Sequence, residues 1–138
     1  MSRYNDTGHL TETPDGDIPL YARVKKTATG VDVAAAADKT YGSALRRGFE
    51  PDPEKGQEDI SVKIFSAAGT HFAIAGGAIQ PGEEIQGADD GKVVAVTDGP
   101  AIGLCIEEAT ADGQVIEVVY YSPTAEPAAS ESEPDPDA

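Results

Sequence analysis

From residue 76 onward, turn-forming dipeptides recur at short intervals: Gly76-Gly77, Pro81-Gly82, Asp90-Gly91, Asp98-Gly99 and Asp112-Gly113. A chain interrupted this often has room for short strands and not for ordinary helices. Pro81 presets φ and Gly82 accepts a positive one, so the pair reads as a type II turn; the Asp-Gly pairs read as tight hairpin turns. Between the turns, and in the strand just before them, apolar residues alternate. Ile60, Val62 and Ile64 share one face of "ISVKIFSAA", with Ser61, Lys63 and Phe65 on the other. "KVVAV" at 92–96 is a strand held between two Asp-Gly turns. Ile102, Leu104 and Ile106 oppose Gly103 and Cys105, and that glycine-bearing face suits close packing. In the last strand Val115, Glu117 and Val119 alternate with Ile116, Val118 and Tyr120. One of its faces is expected to meet the core and the other a neighbour. The whole reads as all-β, a small Gly-rich β-barrel or β-sandwich.

The first half is less regular. Residues 1–17 are polar and turn-rich, with Pro14, Asp15 and Gly16 together, and are expected to stay unordered for want of apolar surface. Ile18, Leu20, Tyr21 and Val24 form a weak strand-like patch, and four alanines favour a short helix from Val33 to Lys39. "EPDPEKGQED" at 50–59 is a loop. The expected organisation is a polar N-terminal arm at 1–20, a single β-rich domain at 21–121, and an acidic tail at 122–138 too rich in Pro, Ser and Ala to build a core.

Charge narrows the function classes. The 138 residues carry a formal net charge of −15. Residues 1–50 hold seven basic and seven acidic side chains; residues 51–121 hold three and thirteen; the tail holds five acidic and none basic. Such a surface repels nucleic acid and anionic lipid, because phosphate binding needs clustered Lys and Arg. No apolar run approaches the ~20 residues of a membrane helix. The start, "MSRYNDTGHLTETPDGD", has no hydrophobic signal segment, so a product made in the cytoplasm without an export signal is expected. Only 39% of residues are apolar, and a small Val, Ile and Ala core is commonly reinforced by oligomerisation.

Reactive constellations are absent from the sequence pattern. Glu83-Glu84, Asp89-Asp90 and Glu107-Glu108 lie at turns or strand ends, and neighbours on a strand point to opposite faces, so no acid/base pair converges. His9 lies in the polar start, and His71 reads as a partly exposed strand residue with no Cys or second His close by for zinc. Cys105 is flanked by apolar residues and reads as a small buried hydrophobe; as the single cysteine it forms no intrachain disulfide. Neither a G-x-S-x-G elbow nor a phosphate loop occurs. The expectation is a protein that is not an enzyme and takes no cofactor, metal or small-molecule substrate.

Three pieces, "AIQPGEEI", "GADDGKVVAV" and "AIGLCIEEATADGQVIEVVYY", in this order resemble the small β-domain of the tailed-bacteriophage capsid decoration (cement) protein family. The resemblance is strongest over 60–121. It implies a β-clip or β-tulip like barrel with no catalytic residues, bound to the outer surface of the assembled head. It implies the major capsid protein as partner, a homotrimer as the favoured assembly, and the virion as the location. The charge split suggests a shell-facing arm within residues 1–30, with Arg3, Tyr4, Arg23, Lys25 and Lys26 as contact candidates. Two other readings compete. A lipoyl- or biotinyl-type carrier would present Lys92 at a hairpin tip, but no M-K-M-like motif surrounds it. A β-clip module of a sugar-acid or nucleotide enzyme would need catalytic groups or a partner domain.

Overall fold

The computed structural model describes residues 8–49 and 58–121. Among the described residues, ten strands and one 3-10 turn make up the regular structure. The first part is a five-stranded antiparallel sheet in the order β1 (His9–Glu12), β5 (Ile60–Ile64), β4 (Gly42–Ala44), β2 (Arg23–Lys26), β3 (Val31–Val33). The second is a closed barrel of β10 (Val115–Tyr120), β6 (His71–Ala75), β8 (Lys92–Ala95), β7 (Glu84–Gly87) and β9 (Gly103–Cys105). All barrel pairs are antiparallel except β6 with β8. The all-β barrel expected from the turn spacing is the fold observed.

Alternation decides which side chains fill the barrel. Ile116, Val118 and Tyr120 of β10 point inward with Ala73 and Ala75 of β6, Ile85, Val93 and Cys105. Ile74, between the two alanines, points out of the barrel and joins Ile18, Val24, Val31, Ile60 and Val62 in the core of the first sheet. Strand β6 is therefore the wall that the two cores share. Gly103 lets β9 close against β10: a Cβ there would stand 2.2 Å from the Val119 carbonyl oxygen. The close packing read from the sequence is thus backbone against backbone.

Three expectations change. Residues 8–18 are ordered by neighbours that local composition does not reveal. His9–Glu12 pairs with β5, Pro14 and Ile18 are buried, and Val31 exchanges backbone bonds with Thr13 and Asp15 at 2.9 and 2.8 Å. That exchange ties the chain after β1 to β3, so the opposite edges of the first sheet meet. The segment expected to be helical from Val33 to Lys39 is a strand end and a loop. Its backbone serves other elements instead: Ala34 N–H donates to Arg23 O at 3.0 Å, and Ala34 O accepts from Gly91 N–H at 2.9 Å. These long-range bonds outweigh alanine's weak helical preference. His71 is buried at 3% exposure, not partly exposed, because it begins β6 on the inward face. The acidic tail at 122–138 lies outside the described residues.

His71 carries a test of this core. Its Nε2 lies 3.1 Å from the Ile64 carbonyl, its ring centroid is 4.8 Å from that of Tyr120, and Nδ1 has no hydrogen-bond partner among the described residues. Burial holds its pKa below the ordinary value; the Ile64 carbonyl opposes this, and the charges of Lys63 and His9 add to it. An unfolded imidazole takes up a proton near pH ~6.5, whereas the folded one does so only at lower pH. Its contribution to stability is complete above that value and is lost as pH falls through the folded pKa. Urea midpoints at pH 7.5 and pH 5 should therefore drop more steeply for the native chain than for His71→Gln. An identical drop in both would show that this imidazole does not control the acid response.

Candidate interaction surface

Arg23 follows Ala22 in the chain and is 1% exposed. Its Nε donates to Lys92 O at 2.9 Å, and Nη1 to the Thr40 hydroxyl at 2.8 Å. Nη2 donates to Ala88 O at 2.6 Å and Ala35 O at 3.2 Å. One guanidinium thus joins the first sheet, the 34–41 loop and the barrel turn around Asp89–Gly91. Glycine makes the seat, since a Cβ on Gly87 would stand 2.8 Å from the guanidinium carbon. Ala36 N–H adds a second link by donating to Asp89 Oδ1 at 2.9 Å. Burial lowers the Arg23 pKa, opposed by Tyr120, Asp38 and Asp89; an arginine nevertheless stays charged.

Two adjoining grooves open above this joint. The first, ≈ 660 Å³, has Arg23 at its base and runs between the 34–41 loop and the barrel, with Phe65, Pro100 and Ile102 as apolar walls. The second, ≈ 540 Å³, continues past Tyr41 and Ile64 to Lys25 and Lys26. Asp38, Lys39, Thr40 and Phe65 line both. Four of the eight basic side chains among the described residues (Arg23, Lys25, Lys26 and Lys39) line this one feature, although sixteen acidic side chains surround them in sequence.

The rim cations differ in their partners. Lys25 lies 3.4 Å from Asp38, and Lys26 bonds Glu12 at 2.8 Å while sitting 5.9 Å from the Tyr41 ring centroid. The Tyr41 hydroxyl donates to the other Glu12 oxygen at 2.6 Å; burial, reinforced by Glu12, raises its pKa. Asp38 accepts from Ala35 N–H at 2.8 Å, which holds its pKa below the ordinary value together with Lys25 and Arg23 against partial burial. Lys39 makes no ion pair among the described residues.

The five contact candidates read from the sequence therefore separate. Arg3 and Tyr4 lie outside the described residues. Lys25 and Lys26 reach the surface at the groove. Arg23 is removed from any surface role, because all its hydrogen-bonded neighbours lie within the fold. Its sequence neighbours Ala22 and Val24 are equally buried, so alternation in "YARVKK" did not separate it from the exposed lysines. The groove residues Lys39, Phe65 and Ile102 come from three distant segments and share no sequence signal.

A second exposed feature lies where Tyr21 and Phe72 meet, ring centroids 5.1 Å apart, with Leu20 beside Tyr21 in the chain. Tyr21 holds φ +70, an uncommon conformation for a bulky residue. Among the described residues no group of three or more His, Cys, Asp or Glu is arranged to hold a metal ion, and no helix is long and apolar enough to cross a membrane. Cys105 is 1% exposed, and burial raises its thiol pKa.

The described residues form a β-module with no α-helix. Among solved structures, the chain is similar to "The crystal structure of head fiber gp8.5 N base in bacteriophage phi29", with a TM-score of 0.65 and 19% identity over 82% of this chain and 92% of that one. At that identity the likeness is one of fold. No protein-family model and no curated protein matches the sequence.

Removing the Arg23 guanidinium leaves Ala88 O without its donor, while Lys92 O and Ala35 O each lose one bond and keep another, from Ala88 N–H and Asp38 N–H. Arg23→Met should lower unfolding free energy by about 1–3 kcal/mol, measured by urea denaturation. Arg23→Lys should recover only part of it, because an ammonium cannot reproduce the planar fork. Full stability in the methionine variant would show that the joint holds without the cation.

Proposed function

We propose that this chain is a structural protein of a bacteriophage head, a decoration protein that binds the outer surface of the assembled shell and reinforces it. The observation that carries this reading is the fold likeness to the phi29 head-fibre base across most of both chains. The sequence resemblance to decoration proteins over 60–121 supports it from the residues.

The physical features fit adhesion. The barrel is closed, so its strands offer no free edge to an incoming strand, and recognition falls to side-chain surfaces and terminal segments. Sixteen acidic against eight basic side chains among the described residues disfavour nucleic acid and anionic membranes as partners. The major capsid protein is the proposed partner, with the protein acting as a homotrimer and without catalysis, cofactor or small-molecule substrate. Trimeric engagement raises effective affinity through several weak contacts on one particle. Arg3 and Tyr4 are the proposed shell contacts in the arm. A deletion of residues 1–20 would remove β1 and the buried Ile18, so point substitutions are the proper probe.

Mixed with heads that lack it, the purified protein should pellet with the particles at saturable stoichiometry in multiples of three. Arg3→Ala with Tyr4→Ala should weaken that binding while leaving the urea midpoint unchanged. Protein that stays in the supernatant at all head concentrations would defeat the assignment.

A further inference from the structure

Four basic side chains, Arg23, Lys25, Lys26 and Lys39, line the paired groove against two acidic ones, Asp38 and Asp98, on an otherwise acidic body. Residues 122–138, "SPTAEPAASESEPDPDA", contain five acidic side chains, four prolines and no basic residue. The described chain ends at Tyr121, whose N–H donates to Ile102 O at 2.9 Å. Ile102 is itself a wall of the groove. The segment therefore starts beside the cavity, and 17 residues can reach up to ~56 Å.

We propose that this chain's own acidic segment, residues 122–138, docks in the groove. The chemistry is complementary on two counts. Lys39, without an ion-pair partner among the described residues, stands on the wall common to both cavities; Lys25 and Lys26, already paired with Asp38 and Glu12, lie farther along. Carboxylates laid along the groove meet these cations above the buried Arg23 charge. The apolar surface between the cations is built from Phe65, Tyr41, Pro100 and Ile102. Aromatic-lined grooves accept proline-containing segments through ring packing. Tethering adds a third factor, since a short covalent link holds the segment near the groove at millimolar effective concentration.

The inference does not depend on the phage reading, and its test needs no capsid. Full-length protein is treated with a zero-length carbodiimide, which joins Lys amines to carboxylates in contact, and the products are mapped by mass spectrometry. Lys39 should be joined to Glu126, Glu131 or Glu133 about tenfold more often than Lys63 or Lys92, given the tether. Mixing unlabelled and ¹⁵N-labelled protein should yield products within one chain. In parallel, Lys39→Glu should speed cleavage after those glutamates by a Glu-specific protease several-fold, with the urea midpoint unchanged. Links spread evenly over the lysines, links between labelled and unlabelled chains, or an unaltered cleavage rate would each overturn docking within the chain.

Discussion

The Arg23 guanidinium is the point on which the arrangement of this protein turns. Two small hydrophobic cores lie on either side of β6, and neither is large. What joins them at the groove is a buried cation that donates to carbonyls of the 34–41 loop and the Asp89–Gly91 turn. A charge taken out of water is costly unless its hydrogen-bonding positions are filled. The carbonyls of Lys92, Ala35 and Ala88 fill them, along with the Thr40 hydroxyl. The same requirement explains the glycine at 87, since a side chain there would occupy the space of the guanidinium. It also explains why the alanine-rich segment stays open: its carbonyls are needed by Arg23 and by Gly91 N–H instead of by a helix.

This joint also shapes the surface. Tying the 34–41 loop to the Asp89–Gly91 turn fixes one side of the paired groove, and Lys39 lines both of its cavities. Elsewhere the acidic surface and the closed barrel discourage indiscriminate association, by like-charge repulsion and by the lack of an exposed barrel edge.

Much of the barrel is legible in the sequence. Alternation assigned Ile116, Val118 and Tyr120 to one face of the last strand, and those residues fill the barrel. The glycine-bearing face predicts close approach at Gly103, and Val119 O is the atom that approaches. The apolar flanks of Cys105 predict its burial, and it is buried. Legibility failed where order comes from distant partners. The polar stretch at 9–12 becomes a strand because β5 offers it a ladder. His71 is buried because the register of β6 turns it inward, beside Tyr120. The candidate surface was legible only in part: Lys25 and Lys26 reach it, but Lys39, Phe65 and Ile102 belong to it through tertiary proximity alone.

By itself the sequence determined the β character of the chain from Ile60 onward, because closely spaced turn dipeptides and period-two alternation are local properties that leave no room there for ordinary helices. It also determined the strongly acidic character, which is a matter of counting ionisable groups. Tertiary structure alone decided that Arg23 lies inside while Lys25 and Lys26 lie outside, and that scattered cations line one groove. Local pattern cannot carry that information, since the hydrogen-bond acceptors that make burial of a charge tolerable come from residues 12 to 69 positions away.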